Sequence, residues 1–146
     1  MIPKKEGGWI WLSKKSKSDD EISKFLENIK SLIKEGHVDF NIRPWKLKVN
    51  KTLKYMTEKN ISTKDISKAL LELEVDDFCY VEDDRNSFFS GEFWFFTRDY
   101  CLVDEVESMY IKLKLFDHGD RKVLVMSFHP QQPTNDKDYL VPLRCK

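Results

Sequence analysis

The residues best suited to chemistry fall in one pair of segments towards the C-terminus. In Met109-Tyr110-Ile111-Lys112-Leu113-Lys114-Leu115-Phe116, the apolar Met109, Ile111, Leu113 and Leu115 alternate with Tyr110, Lys112 and Lys114, the pattern of a strand with one buried face. A return strand follows from Lys122 to Phe128, and Pro130 and Pro133 end it because proline cannot donate to a sheet ladder. If the bulkiest sets are buried, Met109, Ile111, Leu113 and Leu115 meet Leu124, Met126 and Phe128, so odd positions oppose even ones. A six-residue connection over 117–122 then sets Tyr110 opposite His129 and Lys112 opposite Ser127. The other face gathers a phenol, an ammonium, a hydroxyl and an imidazole. Such groups donate, accept and stabilise charge around a phosphate, with imidazole titrating near neutral pH. An ordinary solvated sheet face carries the same residue types.

Other residues have narrower chemical uses. Arg98 follows an aromatic strand, and its planar guanidinium can engage two phosphate oxygens at once. Trp94, Phe95 and Phe96 offer rings on which single-stranded bases stack, or else core packing. His37 and His118 sit beside a helix end and in a turn, where surface roles are the default. Cys79, Cys101 and Cys145 are odd in number and widely spaced, with no CxxC and no histidine at metal-ligand spacing. Neither a disulfide framework nor structural zinc is indicated, and no metal or other cofactor is expected.

The elements that position these groups change character midway. Ser18-Asp19-Asp20-Glu21 is a capping box, and Ile22, Phe25, Leu26, Ile29, Leu32 and Ile33 line one face of the helix it starts. Gly36 stands at the left-handed C-terminal cap, so this helix spans about 19–35. After an irregular stretch around Arg43-Pro44-Trp45, a second helix over 50–59 turns Leu53 and Met56 inward and ends at Asn60. Ser62 or Thr63 caps a third helix over 63–73, with Ile66, Ala69, Leu70 and Leu73 buried. From Val75 the period becomes two. DFCYV and GEFWFFT read as strands, the latter aromatic enough to be covered on both faces. WIWL at 9–12 is a possible short strand. The expected fold class is α+β, with three helices packed on a mainly antiparallel sheet.

The 146 residues suit a single domain, 1–146, and the 40% hydrophobic and 13% aromatic content supplies a core and argues against disorder. Residues 130–146 read as a C-terminal extension, either an extra edge segment or a loose tail. No stretch reaches the roughly 20 apolar residues that span a bilayer, and the N-terminus lacks a signal-like apolar run, so a soluble cytoplasmic protein without a membrane partner is expected. The net charge of zero conceals a division: 16 Lys and Arg against 9 Asp and Glu in residues 1–70, and the reverse in 71–146. A basic half can follow a phosphate backbone, and a lysine-rich solvated surface gives the same count.

The order of elements and several short runs resemble the MqsR family of toxins, within the RelE-like bacterial mRNA interferases. The resemblance covers about residues 26–129, within a toxin-like core at 18–129. Its pieces are Leu32-Ile33-Lys34-Glu35-Gly36-His37-Val38, Asp77-Phe78, Trp94, Tyr110-Ile111-Lys112 and Val125-Met126-Ser127-Phe128. It implies a RelE-like microbial RNase architecture and RNA cleavage without metal, in which the ribose 2′-hydroxyl attacks the adjacent phosphorus to leave a 2′,3′-cyclic phosphate. It also implies a type II toxin with a cognate antitoxin as protein partner and RNA as substrate. The family's strand tyrosine matches Tyr110, and its lysine after the final Ser-Phe corresponds to His129. Where the family has a tyrosine-lysine pair this chain has Cys79-Tyr80, and Phe95 replaces a glutamine after the tryptophan. The expected catalytic set is Tyr110, Lys112 and His129, with Arg98, Trp94 and Tyr80 as RNA-binding residues.

Two other classes fit parts of the chain. Residues 50–73 imitate a helix–turn–helix DNA-binding regulator, with lysines 51, 54, 59, 64 and 68 supplying charge, although the second helix offers no Arg, Asn or Gln for bidentate base reading. A non-catalytic relative that uses the same fold only to bind protein, such as a phage inhibitor, is the third.

Overall fold

A computed structural model describes residues 14–44, 48–85, 91–117, 119–132 and 139–145. The 9–12 segment and His118 lie outside the described residues. The fold is α+β: three helices lie against one face of a mixed, mostly antiparallel six-stranded sheet. The helices are α1 (Asp19–Lys34), α2 (Lys51–Lys59) and α3 (Thr63–Leu70). The strands are β1 (Lys14–Lys15), β2 (Val38–Phe40), β3 (Phe78–Asp83), β4 (Glu92–Cys101), β5 (Val106–Phe116) and β6 (Lys122–Pro130). They are ordered β1-β3-β4-β5-β6-β2, and β2 alone runs parallel to its neighbour, β6.

Local chemistry accounts for the helix ends. Ser18 and Glu21 form the reciprocal capping box at the start of α1. Gly36, at φ +84°, lets the His37 N–H reach the Leu32 carbonyl and the Gly36 N–H reach that of Ile33. This pattern closes the helix and delivers the chain straight into β2. All six apolar residues expected on the inner face of α1 are buried, and they join Ile66, Ala69, Leu70 and Leu73 in one core with the sheet.

The β5–β6 hairpin departs from the simple alternation in an instructive way. Its connection is five residues rather than six, because Phe116 pairs with Lys122, and a bulge at Met126 supplies the extra residue. Between bulge and turn the phase is therefore reversed: Val123 and Val125 face the core, while Leu124 and Met126, expected inside, lie on the other side. Beyond the bulge the two differences offset, so Tyr110 opposes His129 and Lys112 opposes Ser127 as expected. A second bulge, at Cys79, keeps Phe78 and Val81 in the core and turns Cys79 and Tyr80 to the helix-free face.

That helix-free face is itself partly covered. Leu140, 2% exposed, packs with Cys79 and Phe95, and the Gln131 carboxamide bonds both the N–H and the carbonyl of Leu140. Arg144 reaches Asp19 and Asp76, 2.5 Å to each. Residues 139–145 thus form a strap across the sheet rather than an edge segment or a loose tail.

Candidate active site

The site is built where β2 runs out. Alongside β6, β2 pairs only as far as Val125, after which the Asn41 N–H donates to the Val125 carbonyl. The next exposed stretch of β6 is taken over by the first turn of α2. The buried Phe128 N–H donates to Thr52 Oγ1 at 2.9 Å, fixing the start of the helix beside His129. Asn50, the N-cap, accepts the Leu53 N–H through Oδ1 and donates through Nδ2 to the carbonyls of Asn41 and Arg43, each at 3.0 Å. One side chain thereby ties the end of the β2 segment to the helix it precedes.

Tyr110 and His129, opposed across β5 and β6, stack with ring centroids 5.1 Å apart and planes 10° from parallel. His129 is 7% exposed, and its Nδ1 lies 2.9 Å from the Pro130 carbonyl oxygen. A carbonyl only accepts, so Nδ1 carries the proton and Nε2 keeps its lone pair. No protein group among the described residues bonds Nε2. Burial pushes the His129 pKa below its ordinary value, and the Lys51 charge lowers it further against the opposing pull of the Pro130 carbonyl. The imidazole is a neutral base at pH 7. Both rings wall a cleft of about 270 Å³, with Lys51, Thr52, Asn41 and Ser127 among its other walls. Lys51 makes no ion pair among the described residues, and it stands at the positive end of the α2 dipole.

The remaining expected residues are distributed differently. Lys112 shares the helix-free face with Tyr110, but its ammonium lies 4.3 Å from the Phe93 ring centroid, and it does not line the cleft. Burial lowers its pKa, with Glu82 and Asp84 pulling the other way. Tyr80 stacks on Phe95 at 4.6 Å under the Lys14 ammonium, on the same face but three strands away from His129. Trp94 turns to the helices and stacks on Phe25, with centroids 3.9 Å apart. Arg98 donates to Glu74 and Asp77 at 3.2 and 3.1 Å, so its guanidinium is held by two carboxylates away from the cleft. Lys114 is 1% exposed and bonded to Asp84, which makes it a structural group rather than an outward-facing lysine.

Sequence reasoning missed Asn41, Lys51 and Thr52. The N-cap at Asn50 was the available signal that a helix begins there. That its first turn docks on β6 is a long-range fact with no local trace. Among the described residues no three His, Cys, Asp or Glu side chains assemble as metal ligands, and no helix is long and apolar enough to cross a membrane. Comparison with family models, curated proteins and solved structures finds no match to this chain.

Proposed function

We propose that this chain is a metal-independent endoribonuclease of the mRNA-interferase kind, the toxin of a toxin–antitoxin pair akin to the MqsR family. The observation that carries the reading is His129: a buried neutral imidazole, stacked on Tyr110, with its tautomer fixed by Pro130 and Lys51 beside it. In the proposed reaction, Nε2 takes the proton of a ribose 2′-hydroxyl as its oxygen bonds to phosphorus. The P–O5′ bond breaks, and the leaving oxygen takes a proton from the Lys51 ammonium, whose charge also steadies the phosphorane. Tyr110 holds the imidazole ring from one side. Lys51, rather than Lys112, is the cation assigned to the phosphate, because Lys51 lines the cleft.

The regulator reading is less well supported. Asp65 of α3 is engaged in the Ser62 cap, and Lys64 and Lys68 suit phosphates rather than base edges. For a toxin, a neutralising partner is expected to cover the basic first half or to add a strand at the open side of β1 or β2. The test is incubation of purified protein with a defined single-stranded RNA in EDTA. Products ending in 2′,3′-cyclic phosphate and 5′-hydroxyl are expected. Cleavage only with added divalent metal, or none from clean preparations, contradicts the proposal.

A further inference from the structure

His129 stands between two clefts, not at the end of one. The second cleft, about 310 Å³, runs along α2 past Tyr55 and Glu107, and it shares Val49, Lys51, His129 and Gln132 with the first. Each is at the small end of ligand pockets, roughly 300–1,000 Å³, so each has room for one nucleoside rather than a duplex. Lys51, first residue of α2, and His129, 7% exposed and with no protein partner on Nε2 among the described residues, both line the shared wall, where an anion is favoured.

The two clefts differ in what they leave free. In the second, the Tyr55 hydroxyl donates to Glu107 at 2.9 Å, and Lys59 pairs with Asp104 and Glu105. Tyr55, Glu107 and Lys59 are thereby used within the protein, and the cations left at this wall, Lys51 and Lys54, suit a phosphate rather than a base edge. In the first, the Asn41 backbone is pinned on both sides, by Val125 and by Asn50, while its Oδ1 has no partner among the described residues and Nδ2 touches only the Met126 sulfur, at 3.5 Å. A carboxamide on a fixed backbone with its oxygen unspent can read a base edge.

We propose that the clefts are the two nucleoside subsites flanking one phosphodiester, and that Asn41 selects the base on one side while the other side is permissive. This rests on the reading of the site as an RNA site. Cut positions in a randomised single-stranded RNA, read by end sequencing, are expected to show strong base preference at one nucleotide beside the cut and weak preference at the other. Asn41→Ala, with its fold confirmed by circular dichroism, should flatten the strong preference by at least about fivefold, the scale of one good base contact, while the weak one stays as it was. Equal preferences on both sides, or an unchanged preference in the variant, overturns the assignment while leaving the ribonuclease reading intact. Binding of uncleavable 2′-O-methyl dinucleotides separates the two claims in the other direction. Base-dependent affinity that Asn41→Ala abolishes supports the subsites even if no RNA is ever cut, and dinucleotides that bind no better than inorganic phosphate refute them.

Discussion

Thr52→Val isolates the contact that joins helix to sheet at the site. The substitution keeps side-chain shape but removes the acceptor for the Phe128 N–H, which is buried and bonded at 2.9 Å. An unsatisfied buried donor costs about 1–3 kcal/mol, because its desolvation is no longer offset. Thr57→Val is the matched control. Thr57 is exposed and its Oγ1 donates only to the Leu53 carbonyl one turn back, so the change is expected to stay within about 0.5 kcal/mol. The effect should reach function too. Thr52 is the second residue of α2, and its bond to Phe128 docks the turn that carries Lys51 into the cleft His129 also lines, where a misplacement of about 1 Å can cost up to 10²-fold in rate. Urea denaturation followed by circular dichroism, together with single-turnover RNA cleavage, measures both. If Thr52→Val is as stable as the Thr57 control, α2 is not anchored as described.

Lys114→Ala removes the 2.5 Å contact to the nearly buried Asp84 carboxylate, and a loss of about 1–3 kcal/mol is expected, with the Lys114→Met, Asp84→Asn pair milder; denaturation midpoints decide, and a loss under about 0.5 kcal/mol for Lys114→Ala contradicts the pairing. The lowered pKa of His129 means that the unfolded chain binds its proton first, so stability falls as pH drops below about 6.5 and levels off below the folded pKa. His129→Gln should remove that component, and identical pH slopes in variant and wild type would count against a buried neutral imidazole. Leu140→Asp sets an unpaired carboxylate against Phe95 and Cys79, and limited proteolysis should then cut near residues 139–145; wild-type resistance contradicts a strap held by Leu140.

What the chain discloses to inspection follows the range of the forces involved. The start of α1 is local, with cap and apolar stripe in one stretch, and the structure matches it to within a residue. The Tyr110–His129 pairing matches the expectation because two departures from simple alternation cancel, a connection one residue shorter and the bulge at Met126. That bulge was not legible, because the backbone saves Val123 and Val125 for the core by inserting an unpaired residue that no alternation rule announces. Lys114 misled for a related reason. Alternation shows that it lies opposite Leu113, but not that the second face is also covered there and that Asp84 arrives to pair it. Trp94 follows the same logic in reverse, since one ring in an aromatic run must face the helices, and Phe25 of α1 meets it. The other half of the site, from Asn41 to Thr52, joins β2 to α2 and meets β6 only in three dimensions.

The most direct test of the account is the single-turnover cleavage rate of His129→Ala against wild type, in EDTA, with circular dichroism establishing that both are folded. Removing a proton-transfer group costs about 10²–10⁴-fold. A loss of at least about 100-fold is predicted on that scale, and a folded His129→Ala variant that cuts RNA as fast as wild type contradicts the assignment of this site.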